Sequence, residues 1–175
     1  IAVLQNLIKK HKINSIINLS DTQIDIPKEF EYYKQLFDQN NIIYTNQEYN
    51  YDIFYYITTD NNFKKLLTKI ITFIIEQDPP YLVHCRIGTD RTGVIIAILA
   101  AFMGADWQEI VTDYKQSNKL GIGEYRDEKL LGYACKRLLQ DSLLNENLQE
   151  KITSYLKDEV QLEVATLEKL KAKLK

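Results

Sequence analysis

Cysteine is scarce in this chain: its 175 residues include two, Cys85 and Cys135. Two thiols cannot make a disulfide framework, so the fold must be held by its core, and the usage fits a reducing, cytoplasmic compartment. With only two histidines besides, a structural zinc site would consume nearly every soft ligand, and neither a metal nor another cofactor is expected. Long apolar runs are also lacking, so no segment reads as a membrane span. A signal-type leader is not visible either, but the sequence begins at Ile1 rather than Met. Residues are therefore expected to be missing upstream, N-terminal targeting is unreadable, and secretion is not excluded. Nor is there an excess of one charge: the net charge of -2 and pI near 5.8 give no basic field for nucleic acid. There is no internal repeat and no Gly/Ser linker.

What is present is an ordinary globular composition, 45% apolar and 26% charged, which argues against disorder. The length suits one domain with a sizeable core over residues 1–175, with a helical element at its C-terminal end from 145 to 175 and a monomer favoured. Val3, Leu4, Leu7 and Ile8 mark one face of a helix from Ala2 to Lys10. The β-branched run from Ser15 to Leu19 reads as a buried strand. Pro27 stands where a helix opens, with Phe30, Tyr33, Leu36 and Phe37 on its inner face and Asn40-Asn41 at its end. Ile42 to Tyr44 reads as a second strand, and 45–60 as a long aromatic loop.

Asp60 offers a cap to a helix running from Phe63 to about Gln77, which Pro79-Pro80 stops. Leu82-Val83 reads as the central strand, and Val94 to Ala101 as a buried helix. Asp106 and Glu109 form a capping-box pattern for a helix through Tyr114. Tyr125–Leu139 reads as another helix, and Asn147–Leu174 as amphipathic turns whose leucines 162, 167, 170 and 174 pack on the domain or, alternatively, pair with another chain. The alternation of strands and helices predicts an α/β three-layer sandwich with a mainly parallel sheet of about four or five strands. In such folds the ligand sits at the carboxyl ends of the strands, where Cys85 falls.

The most informative stretch runs from Tyr81 to Gly93. An apolar strand, a polar turn and a long apolar helix aim loop N–H groups and the positive end of a helix dipole at one point, which is how phosphates are bound. Cys85 lies at that point, and five residues separate it from Arg91, enough for the loop to curl once round a tetrahedral anion. For Cys85 to be a thiolate at neutral pH its pKa must fall by about three units from about 8.5, on the order of 4 kcal/mol. Arg91 supplies a planar fork for two phosphate oxygens. Gly88 and Gly93 let the backbone approach the anion and turn into the helix, and Thr92 can donate its hydroxyl to the Cys85 sulfur. Arg86, Ile87, Gly88, Thr89, Asp90 and Arg91 are thus the candidate phosphate-binding residues. Cys135, beside Leu131 and Leu138, reads as core.

The segment His84-Cys85-Arg86-Ile87-Gly88-Thr89-Asp90-Arg91-Thr92-Gly93 resembles the HCx5R(S/T)G signature of the cysteine-dependent protein tyrosine phosphatase superfamily. More narrowly, it is similar to the HCxxGKDRTG loop of the bacterial-type tyrosine and phosphoinositide phosphatases and to the compact dual-specificity enzymes. Ile16-Ile17-Asn18-Leu19 resembles the family's early strand, Ile110 to Tyr114 with Ser117-Asn118 its "I..DY..SN" helix, and Tyr155 to Leu170 its closing element. Thr89 stands where the narrower group usually has Lys, and Ser20 where the strand usually ends in Arg.

The resemblance implies a phosphomonoester hydrolase acting on phosphotyrosine, with dual specificity within its scope, through a cysteinyl-phosphate intermediate. The alternatives are a phosphoinositide phosphatase and a catalytically silent phosphate-binding module. It also implies that His84 orients the loop and that an aspartate on an upstream loop protonates the leaving oxygen. Asp52 fits that place, Asp60 reads as the helix cap, and Asp90 is the rival donor because it lies within the loop itself. Tyrosines 49, 51, 55 and 56 either wall the pocket or are ordinary loop aromatics.

Overall fold

The computed structural model describes residues 2–20, 30–45, 58–121 and 125–175. Among them, three short strands form a wholly parallel sheet: β1 (Ser15–Asn18), β2 (Ile42–Tyr44) and β3 (Tyr81–His84), in the order β2-β1-β3. They coincide with the three short apolar runs read as strands. The expected fourth and fifth strands are not found among the described residues, because the remaining apolar residues there recur at helical rather than alternating spacing. The α/β class holds.

The register explains why β1 is buried along its whole length. Ile16 lies beside Ile42 and Leu82, whereas Ile17 lies beside Ile43 and Val83. Alternate side chains leave a strand on opposite faces, so these two rows line two cores. The Ile16 row packs against Ile8, Tyr33 and Leu36 of α1 (Ala2–His11) and α2 (Glu31–Asp38). The Ile17 and Ile43 row meets the larger core, formed by α3 (Asn61–Glu76), α4 (Asp90–Met103) and the helices that follow. A three-layer arrangement results.

α3 is amphipathic and buries Phe63, Leu66, Leu67, Ile70, Ile71, Phe73 and Ile74. Its cap is Asp60, whose side chain accepts from the Asn62 N–H at 2.6 Å. α4 is apolar nearly all round, as befits a helix enclosed by sheet and helices, and it ends at Gly104, whose φ of 103° only glycine adopts freely. α5 (Trp107–Lys115) opens with the anticipated capping box: the Glu109 N–H donates to Asp106 at 2.8 Å and the Asp106 N–H to Glu109 at 2.9 Å.

Two helix starts differ from the sequence expectation. α2 begins at Glu31, and Pro27 lies outside the described residues. The helix expected from Tyr125 begins instead at Glu128, as α6 (Glu128–Leu139) capped by Asp127, because the main chain of Arg126 is bonded to Asn118 and not to a following turn.

The chain closes with α7 (Leu148–Ser154), a wider turn from Tyr155 to Glu159, and α8 (Val164–Lys173). α8 packs on α3, burying Leu167 and Leu170. Its Lys173 ammonium bonds the Gln77 carbonyl at 2.7 Å and Asp78 at 3.0 Å. Among the described residues no helix is long and apolar enough to cross a membrane.

Candidate active site

The carboxyl ends of β1 and β3 lie side by side, and the loop 85–89 leads from β3 into α4. β3 delivers Cys85, which is 8% exposed. The Leu19 N–H donates to the His84 carbonyl at 2.8 Å, tying the end of β1 to the loop's first residues. Just beyond, the Asn18 side chain accepts from the Ser20 N–H and hydroxyl, both at 2.9 Å, in a local bend at the end of β1. His84 lies half-buried beside the loop, with Nδ1 3.4 Å from the Cys85 carbonyl.

Arg91 lies within the first turn of α4, yet it is 2% exposed and, among the described residues, the largest fully buried side chain. One end of its guanidinium donates to the Leu19 carbonyl. A buried charge is costly unless it is paired and hydrogen-bonded, so the strand terminus acts as an anchor that holds the fork beneath the loop.

Around the sulfur, the Gly88 N–H lies 3.3 Å from Cys85 Sγ. Burial by itself pushes the Cys85 thiol up, but donors outweigh it: the Thr92 hydroxyl and N–H and the Gly88 and Ile87 N–H groups bring the pKa below the ordinary thiol value. Thr92 Oγ1 is itself buried. Gly88 has φ of +84°, a conformation strained for any other residue. Arg86 and Ile87 are exposed at the rim, Ile87 by 47%. Thr89, in contrast, is buried to 1% exposure and does not stand on the rim.

Asp90 is held by a residue that sequence reasoning missed. Arg126 Nε lies 2.9 Å from Oδ1 and its terminal nitrogen 3.3 Å from Oδ2, a two-point ion pair at the mouth of the loop. Asn118 in turn holds Arg126 by both main-chain groups. It accepts from the Arg126 N–H at 2.6 Å and donates to the Arg126 carbonyl at 2.8 Å. No local pattern announces Arg126, which reads as one more charge near a helix start.

Asp52 and tyrosines 49, 51, 55 and 56 lie outside the described residues. Asp60 is the α3 cap. Cys135 is a core thiol, buried in α6 and pushed up to about 12 by burial.

The turn from β3 into α4 thus brings together a buried cysteine with a lowered pKa and, in the first turn of the helix, a buried arginine. Residues 10–175 match the model of the tyrosine phosphatase family, and the chain belongs to that family. Over 60 residues it is 37% identical to the triple specificity protein phosphatase PtpB of Mycobacterium tuberculosis, a match that covers 34% of this chain and 21% of that protein.

Proposed function

We propose that this chain is a cysteine-dependent phosphomonoester hydrolase acting on phosphotyrosine. The observation that carries the reading is the placement of buried Cys85 at the strand-to-helix turn, with the Gly88 N–H 3.3 Å from its sulfur and Arg91 buried in the first turn of the next helix; the N–H donors and Thr92 lower its pKa against the opposing effect of burial. A thiolate at that place is the nucleophile that phosphate esters require. Cys85 sulfur attacks phosphorus in line with the ester oxygen, the P–O bond breaks, and an aspartic acid, Asp52 or Asp90, gives its proton to the leaving oxygen. Water then attacks the cysteinyl phosphate, and the thiolate leaves under the Thr92 hydroxyl. Arg91 and the N–H groups of residues 86 to 91 hold the equatorial oxygens, whose charge the fork stabilises throughout. His84 orients the loop.

Turnover of a phosphotyrosine peptide that is blocked by vanadate and abolished in Cys85→Ser is the expected result. If the unaltered chain binds orthophosphate yet hydrolyses no ester, only the binding-module reading survives. The second substrate class is the phosphoinositides, suggested by the loop resemblance. With Thr89 where that group usually has lysine, the loop offers one cation fewer to a multiply phosphorylated head group, which favours phosphotyrosine. A higher kcat/KM on a soluble phosphoinositide than on phosphotyrosine peptides would reverse the order.

A further inference from the structure

We propose that Arg126, seated by Asn118, is a positioning residue of the phosphate site, and that it holds Asp90 as a fixed counter-charge of the loop and not as the proton donor. The inference rests on the reading of the loop as a phosphatase site. Asp90 immediately precedes Arg91 in the chain. An uncompensated carboxylate there would compete with substrate for the Arg91 guanidinium and repel a phosphate dianion. Arg126 cancels that charge in a partly buried setting, the two side chains being 12% and 23% exposed, where an ion pair is less screened than on the surface.

Geometry makes the pair a clamp as well as a neutraliser. Two parallel donors fix the carboxylate plane, and the main chain of Arg126 cannot drift because Asn118 binds both its N–H and its carbonyl. Asn118 sits on the short turn Gln116–Leu120 that follows α5. The Ser117 hydroxyl ties that turn back to the Tyr114 carbonyl at 2.7 Å. The first turn of α4, whose N–H groups face the anion, is thereby braced from α5 and from the segment before α6. A carboxyl that serves as a proton donor must turn an O–H toward the leaving oxygen. Both Asp90 oxygens are instead engaged by guanidinium N–H donors. The leaving-group proton then falls to the other candidate, Asp52.

The test uses the full chain, orthophosphate as the binding probe, and two esters, 4-nitrophenyl and phenyl phosphate, whose leaving groups differ in their need for a proton. In Arg126→Met, KM and the orthophosphate Kd rise about tenfold, equivalent to about 1.4 kcal/mol, while kcat stays within about threefold. The double variant Asp90→Asn with Arg126→Met regains most of that affinity, since no uncompensated charge remains. Asp90→Asn alone slows both esters by the same factor. Unchanged phosphate affinity in folded Arg126→Met, or no regain in the double variant, overturns the proposal. So does a far greater loss on phenyl than on 4-nitrophenyl phosphate in Asp90→Asn, which would make Asp90 the donor. Should Arg126→Met not fold, Arg126→Gln, which removes the charge and keeps a polar donor, is measured instead, and unchanged affinity there overturns it equally. If the unaltered chain binds orthophosphate but hydrolyses neither ester, the phosphatase reading fails while the binding comparison still decides the clamp.

Discussion

Replacing Gly93 with alanine tests how the loop helix is seated. A Cβ at this position would lie 2.7 Å from both Cδ2 and Cε2 of the Tyr114 ring, about 1 Å inside ordinary carbon–carbon contact. Overpacking of that kind costs about 1–3 kcal/mol. Against it stands the better helix propensity of alanine, about 1 kcal/mol at most. A cavity of about 320 Å³, lined by Gly93, Ile96, Ala97, Ile110 and Tyr114 among others, gives the ring somewhere to tilt, which places the clash in the lower half of its range. The net expectation is destabilisation by about 1 kcal/mol, a fall in Tm of about 2–4 °C. Because the Gly93 N–H bonds the Thr89 carbonyl at 2.6 Å, the displacement also reaches the loop and weakens orthophosphate binding. Thermal unfolding with calorimetry of phosphate binding measures both effects. In a Tyr114→Leu background the same Gly93→Ala change becomes neutral or stabilising, a coupling of about 1–2 kcal/mol in the double-mutant cycle. A Gly93→Ala protein as stable as its parent, or strictly additive changes in the cycle, would refute the reasoning.

The two cysteines are expected to differ sharply in reactivity. Iodoacetamide at neutral pH alkylates Cys85, with its lowered pKa, and leaves Cys135, whose pKa is about 12, until the protein unfolds; mass spectrometry of the native protein should find one adduct, suppressed by phosphate, and two would contradict this. Cys135 also predicts a pH dependence. Its folded pKa is raised above the ordinary value of 9.0, so its contribution to stability is fully present below about pH 8.5 and is lost as pH rises toward 12, at up to about 1.4 kcal/mol per unit. Urea unfolding of Cys135→Ala between pH 8 and 9.5 should show a shallower slope than the parent, and equal slopes would count against it. Leu170→Ala, at a fully buried site on α8 against α3, is expected to cost about 2–4 kcal/mol in urea unfolding. A cost well under 1 kcal/mol would mean that α8 lies outside the cooperative core.

Much of the architecture was legible in the order of residues. The three strands coincide with three short apolar runs, and Asp60 and Asp106 cap the helices that their neighbours predict, because propensity and capping act within a few residues. The turn from His84 to Thr89 was equally legible as a junction, since it sits between a strand pattern and a helix pattern that the fold reproduces as β3 and α4.

Other features depend on residues brought together from afar. Thr89, which stands where the resemblance leads one to expect a lysine, is buried in the fold. Gly93 reads as a helix-turning glycine, yet its neighbour across space, Tyr114, is what forbids a side chain there. Arg126 carries no local signal, and only the return of the chain after α5 brings its guanidinium to a carboxylate 36 positions earlier. The sequence by itself determined most of the elements, since they depend on short-range spacing. The charge state and bracing of the loop 85–89 were decided by tertiary structure alone, because electrostatic partners are selected by distance in space and not by separation along the chain.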